Sequence, residues 1–369
     1  MIPVLYSATE TAFETLGIGA LADAISCIVT SEKNIPPTLE MEYPISGGMF
    51  YQIAPERIIL APTYKGNDQP FRIYAISKPI NGIVTVRAAH VAEQLAKTAM
   101  PNKTIENATP TRIWASIAAN ARPLPPFTFS SDIISQPTIR ANGEFVIPEP
   151  CSALRVMVGN EESIANLWPN GGFIYDKWRI TYNDNVGEDS DYVIEYGSNM
   201  TGIEASSDMT DVYTGVYPYW KPNYTDAYVC LSDNPVIYAS NVGDYTNPMV
   251  QAVSFQDYYD DSLSRIELEN VIRTAATSYV ESAQHVLKVS IKVDFIDLSQ
   301  TDQYMGTSLH SVKLYDRVRV YYPEMDVDIY SSVVKTEYDV LRDKYNSVEI
   351  GETEKNLATV ISEIARRNV

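Results

Sequence analysis

Over residues 287–295 apolar and polar side chains alternate without a break. Leu287, Val289, Ile291, Val293 and Phe295 face Lys288, Ser290, Lys292 and Asp294. A period of two puts every apolar group on one face of an extended strand, and no helix satisfies it. The same alternation recurs early, in Leu39-Glu40-Met41-Glu42-Tyr43. Residues 56–62, 71–77 and 82–88 read as further strands, separated by Pro and Gly turns as in a small antiparallel barrel or sandwich. In the last third, 312–321, 328–338 and 346–351 continue the pattern. The 26 tyrosines agree with a β-rich chain rich in contact surface, since Tyr favours strands and interfaces.

At 369 residues the chain exceeds one typical core, which predicts more than one domain. Helical spacing marks 111–121 behind Pro110, 152–167 with an interruption at Gly159, and 264–279, with a short helix over 91–96. Strands are expected at 178–182 and 192–196 around a polar turn, and a charged amphipathic helix at 354–367. The expected fold class is β-rich α+β. Its layout is a first β-barrel-like tube domain at 1–95 and an inserted α+β domain at 96–200. A second β-barrel-like tube domain with a helix follows at 201–350, then a C-terminal helix at 351–369. The trio ERIIL, FRIYAI and IVTVRA (56–60, 71–76, 83–88) is echoed by DRVRV, SVVKTE and SVEIGE (316–320, 332–337, 347–352). Antiparallel strands resemble each other by chance; a true duplication would give two related β-domains.

The net charge of -19 opposes nonspecific nucleic-acid binding, which needs Lys and Arg to neutralise phosphates. Acidity of this degree also keeps a protein soluble. No apolar run approaches the ~18 residues of a membrane span. The opening MIPVLYSATETAF lacks the basic and apolar regions of a signal peptide, so folding in a cytoplasm is expected. Cys27, Cys151 and Cys230 are widely spaced, without a C-x-x-C pair, and read as free thiols.

Chemistry-bearing motifs fail one by one. Gly17-Ile18-Gly19-Ala20-Leu21-Ala22 matches the dinucleotide fingerprint G-x-G-x-x-A, but no buried strand precedes it and a strand, not a helix, follows. The glycines are expected to shape a loop entering a sheet. His90, His285 and His310 lie in no triad or zinc setting. Glu40 and Glu42 could imitate a glycosidase pair, yet their alternation with apolar residues turns them to water. Asp257 to Asp261 lacks calcium-loop spacing and precedes a helix, where acids favour the dipole. The sequons at Asn102, Asn107, Asn199 and Asn223 are what chance supplies. Trp168, Trp178 and Trp220 are candidates for binding a surface polymer, with core packing the simpler role. No catalytic, cofactor-binding or metal residue is assigned, and no cofactor is expected.

Several blocks resemble the prophage tail endopeptidase family, also called tail-associated lysins. They are GIGALADAISCIVTSEKN…LEMEYPISG (17–47), QPFRIYAISKPINGIVTVRAAH (69–90) and GGFIYDKWRITYNDNVGEDSDYVIEYGSNMTGIE (171–204). VYTGVYPYW (212–220), VDFIDL (293–298) and KLYDRVRVYYPEMDVDIYSSVVKTEYDVLRDKYNSVEIGE (313–352) continue the likeness. The resemblance implies a phage tail-tip or baseplate hub, similar to that of contractile-tailed phages. Such a hub is a homotrimer in which each subunit gives two tube domains to a pseudo-sixfold ring, adapting sixfold to threefold symmetry. It implies a virion location, assembly in the host cytoplasm, and contact with distal tail or tail tube protein. Among the expected partners is also the tape measure protein, and DNA is expected to pass through an acidic channel without specific binding. Lytic activity in the family belongs to domains that follow the hub portion. With no catalytic set here, the expectation is a structural protein and not an enzyme. The alternatives are a cell-wall peptidoglycan endopeptidase or a host-surface-binding tail protein.

Overall fold

The computed structural model describes residues 1–77, 81–123, 126–137, 143–159, 163–195, 199–208, 212–281, 288–295, 312–322 and 327–351. Strand β1 (Val4–Tyr6), β2 (Gly19–Ala20), β3 (Ser26–Glu32), β4 (Ile35–Pro44), β5 (Ile58–Pro62), β6 (Asp68–Ile76) and β7 (Ile83–His90) open the chain. They form the order β3-β4-β7-β6-β5-β1-β2, every pair antiparallel. Alternation sets which face is core. Val29, Leu39, Met41 and Val86 are fully or almost fully buried, while Thr38, Glu40, Glu42 and Arg87, between them in sequence, are exposed.

The same order occurs a second time. Met200–Asp208, Lys288–Phe295, Arg317–Tyr322, Val327–Asp339 and Lys344–Gly351 are the strands in chain order. They lie as first, second, fifth, fourth, third, as do β3, β4, β7, β6 and β5. Details repeat too. Ile73 N donates to Arg57 O and Glu56 N to Ile73 O, and Val333 N donates to Asp316 O and Tyr315 N to Val333 O. Glu56 and Tyr315, at matching places, both have left-handed φ, 70° and 75°. The β6–β7 register slips between Ile73 and Ala75, and the later hairpin slips between Val333 and Lys335. A shared order, bulge and backbone outlier go beyond chance likeness between strands, because bulges are position-specific features of a sheet.

The two strand sets join edge to edge. Residues 335–339 pair antiparallel with 28–32, Lys335 opposite Glu32 and Asp339 opposite Ile28. The chain accordingly divides into one compact unit of Met1–Glu204 with Ile291–Gly351 and another built on Ala205–Ser290. This differs from a sequence layout that keeps 201–350 together. Residues 209–287 lie between the first and second strands of the second set, and periodicity carries no record of which strands pair across 300 positions.

Between the strand sets, the first unit holds a smaller helical and sheet layer. Helix α1 (Pro110–Asn120) begins where Thr109 Oγ1 accepts from Arg112 N and Pro110 needs no donor, the usual N-terminal chemistry. Its Ile113, Trp114 and Ile117 bury into a core shared with Phe145, Met157, Phe173 and Tyr182. The expected helix at 152–167 is two short ones, Ala153–Met157 and Ile164–Leu167. The strands flanking the polar turn go to different sheets. Arg179–Asp184 pairs with Gly171–Asp176, whereas Asp189–Glu195 runs parallel to Arg317–Tyr322. The helix expected at 354–367 lies outside the described residues.

In the second unit, helix Arg265–Val280 starts with a capping box between Ser264 and Glu267. Its Leu268, Ile272, Ala276 and Val280 stripe packs on Val216 and Trp220 of a small sheet. Ile272 is fully buried in that cluster. Ile272→Ala is expected to lower unfolding free energy by about 3 kcal/mol, read by urea denaturation; a loss below about 1 kcal/mol would contradict this packing.

Candidate functional site

The turn between β3 and β4 leaves Asn34 with φ 66°, a conformation Asn tolerates well. Its polar groups then serve two other segments. Asn34 N donates to Tyr315 Oη at 2.9 Å, and Asn34 Oδ1 accepts from Phe173 N at 3.0 Å. Tyr175 Oη donates to Asn34 O at 2.8 Å, and Tyr315 Oη donates to Phe173 O at 2.9 Å. One hydrogen-bonded clasp thus ties the first strand set, the inserted layer and the approach to the second strand set. Burial pushes the phenols of Tyr175 and Tyr315 up, so both stay neutral donors. Asp316 extends the clasp by accepting from Lys313 N and Glu188 N. Gly187, at φ 97°, lets the chain pass, because a Cβ there would stand 2.2 Å from Tyr315 O.

A second buried junction centres on His90, which is fully enclosed. Its Nδ1 accepts from Ala92 N at 3.2 Å, capping the short 3-10 helix Val91–Lys97. The ring proton therefore sits on Nε2, 3.3 Å from Gln69 Oε1, and that oxygen also accepts from Lys177 N. Burial pulls the imidazole down to about 3, against a weaker upward pull from Asp176. His90 is a neutral structural cap and not an acid–base group. His285 and His310 lie outside the described residues.

The central strands of the first unit turn one face to solvent. Directly opposed residues of an antiparallel pair share a face. Glu40 lies opposite Arg87, Glu42 opposite Thr85, Lys335 opposite Glu32 and Glu349, and Glu337 opposite Thr30. Glu32, Glu40, Glu42, Glu337 and Glu349 thus share a face with Arg87 and Lys335 and with the opposed pair Asp339 and Lys344, leaving that face net acidic. Glu40 and Arg87 form an exposed ion pair at 2.8 Å. Glu40 and Glu42 belong to this face and are both exposed, which is the solvated placement that alternation predicts.

A cleft of about 580 Å³ opens beside the clasp, with Tyr64, Asn67, Asp132, Arg179, Glu188 and Lys313 among its walls. Two of its acids are engaged: Asp132 accepts from Asp184 N, and Asp176 pairs with Arg179. Among the described residues no cluster of His, Cys, Asp and Glu could hold a metal. Asp260 caps Ser262 through its backbone and hydroxyl, and these bonds, the hydroxyl first, hold its carboxyl below the usual range. Trp168 and Trp220 are buried; Trp178 is half-buried against Phe127 and donates to Thr11 O. All three have packing roles. Gly17 turns the loop at φ 64°, and Ile18 N donates to Leu5 O. The fingerprint glycines therefore lead into a sheet, as their context indicated. Cys27 is buried and the described cysteines are free. The clasp had no sequence signal, since neither Asn34 nor Tyr315 stands in a motif.

Two changes test these junctions. Tyr315→Phe deletes the hydroxyl shared by Asn34 and Phe173 and is expected to cost about 1–3 kcal/mol in chemical denaturation; an unchanged midpoint would contradict the clasp. His90 stays neutral when folded but takes a proton below about 6.5 when unfolded. Its stabilisation is therefore complete above that pH and is lost as pH falls towards 3, by up to about 1.4 kcal/mol per pH unit. Unfolding curves at pH 7 and 5 should show this component in the wild type and not in His90→Gln. Equal slopes would contradict it.

Comparison with known proteins gives the fold its setting. No curated protein matches the chain in sequence. Prophage tail protein gp18 from Listeria monocytogenes is similar over 99% of both chains, at 14% identity and TM-score 0.54. The tail protein from Neisseria meningitidis is similar over 95% of this chain and 96% of its own, at 10% identity and TM-score 0.57. The 43 kDa tail protein of prophage MuSo2 from Shewanella oneidensis is similar over 95% and 98%, at 9% identity and TM-score 0.53. Residues 188–361 match the prophage endopeptidase tail family, and the chain as a whole has the fold of phage tail proteins.

Proposed function

We propose that this chain is a structural hub of a phage tail tip or baseplate, acting as a homotrimeric ring and without catalysis. The observation that carries the reading is the duplicated sheet, packed on one face and open and acidic on the other. Two related sheet segments per chain would place six around a threefold axis, which suits docking onto sixfold distal tail or tail tube protein. In such a ring the open face, with Glu32, Glu40, Glu42, Glu337 and Glu349, would turn to the channel. Acidic walls repel phosphate, so DNA would pass without sticking. The tape measure protein would share that channel before ejection. The protein would reside in the virion after assembly in the host cytoplasm. The likeness to tail proteins supports this setting.

Light scattering on a gel-filtration peak should give about three times the 41.2 kDa chain mass. A monomer at every concentration, unchanged by distal tail protein, would contradict the ring. Glu40→Lys with Glu42→Lys in the phage should slow genome ejection while leaving assembly intact; ejection at the wild-type rate would contradict an acidic channel.

A further inference from the structure

The face of β3 that packs into the core ends in a hydroxyl. Cys27 and Val29 are fully buried on it, and the next residue on that side is Ser31, only 5% exposed. Opposite Ser31 on the neighbouring strand is Thr336, also buried. Both line the cleft beside the clasp. Ser31 Oγ is enclosed and has no hydrogen-bond partner, an arrangement that costs stability and calls for a reason. Among the described residues Arg72, Gln94 and Ser163 also hold such an atom, and none of the three borders the cleft.

The cleft is formed before anything binds. Its described wall residues all belong to the first unit. The clasp residues Phe173, Tyr175 and Tyr315 stand among them, so the hydrogen bonds of the clasp hold its shape. Such preorganisation lowers the cost of binding. A volume of about 580 Å³ is the size of a small-ligand site.

Charge and hydrogen-bonding capacity select the class of ligand. Five carboxylates among the described wall residues stand against Arg179 and Lys313, so an anionic ligand is repelled. Four of the five, Asp132, Asp176, Asp184 and Asp316, already accept hydrogen bonds within the chain. The neutral amides have more to give. Asn183 Oδ1 accepts from Asp132 N, and Asn185 Nδ2 donates to Asp184, whereas each amide offers two donors and an acceptor. Beside them Ile174 is 40% exposed, and the Lys313 ammonium lies over the Tyr64 ring, 5.7 Å from its centre. Neutral polar groups next to apolar surface suit a ligand with hydroxyls on its rim and C–H groups on its faces.

We propose that this cleft binds a neutral saccharide. Ser31 Oγ and the amides of Asn183 and Asn185 meet its hydroxyls, and Tyr64 with Ile174 meets a ring face. The site goes beyond the hub reading, since a ring needs no such ligand.

The test uses the full chain and two readouts. Saturation-transfer NMR with glucose, galactose, rhamnose and N-acetylglucosamine should show saturable binding of at least one sugar and none of inorganic phosphate. Ser31→Ala and Tyr64→Ala should each weaken that binding about tenfold. Ser31→Ala also separates a hydroxyl kept for a ligand from one kept for the fold. Removing an unpartnered buried hydroxyl should leave the urea midpoint of the free chain unchanged or raised. A lowered midpoint means that the hydroxyl serves the fold through a bound water, and overturns the proposal. So does the absence of binding by all four sugars at millimolar concentration, or binding that Ser31→Ala leaves intact. Tighter binding of phosphate or of a lysine-containing peptide than of any sugar overturns the saccharide assignment. Should Tyr64→Ala fail to fold, Ser31→Ala still decides.

Discussion

The first unit depends on one ladder of backbone hydrogen bonds, between residues 28–32 and 335–339. Without it the two strand sets would be separate sheets connected by long insertions. With it, strands from both ends of the chain share one sheet and one buried face. Closing a loop of some 300 residues is entropically costly, so the ladder needs reinforcement nearby. The clasp at Asn34, Phe173, Tyr175 and Tyr315 supplies this at the tip of the β3–β4 hairpin. It uses neutral donors whose burial keeps them protonated, so it is insensitive to salt and to physiological pH, unlike a surface ion pair.

Packing and charge are thereby separated on opposite sides of the same strands. The packed face holds Val29, Leu39, Met41, Tyr338 and Val348, all almost fully buried. The other face is free to carry charge, and in this chain it carries carboxylates. An antiparallel sheet permits this because alternate residues are structurally independent. Tail proteins from Listeria monocytogenes, Neisseria meningitidis and Shewanella oneidensis share the fold at 14% identity or less. The pattern of buried and open faces preserves such a fold, and the particular side chains need not.

Much of this was legible in the sequence. Alternation located the central strands, because burial of one face leaves a period-two record. Pro110 and the Ile113, Trp114 and Ile117 spacing located α1. The echo of ERIIL, FRIYAI and IVTVRA pointed to the duplication. The strand order, the bulges and the left-handed φ at Glu56 and Tyr315 turned that echo into a repeated architecture. Those outliers were illegible, since neither Glu nor Tyr marks a positive φ. Partner choice was also illegible: nothing local in SVVKTE says that it pairs with the strand ending at Glu32. For the same reason the insertion at 205–290 was grouped with strands that belong to the other unit. The acidic face could be read as solvated, but which strands stand beside one another on it required the register.

The most direct test of the duplicated-ring arrangement is a cryo-electron microscopy map of the purified oligomer. The arrangement predicts six sheet segments of two alternating kinds around a channel, with Glu40 and Glu42 on the channel side. A map in which the open faces point outwards would contradict it.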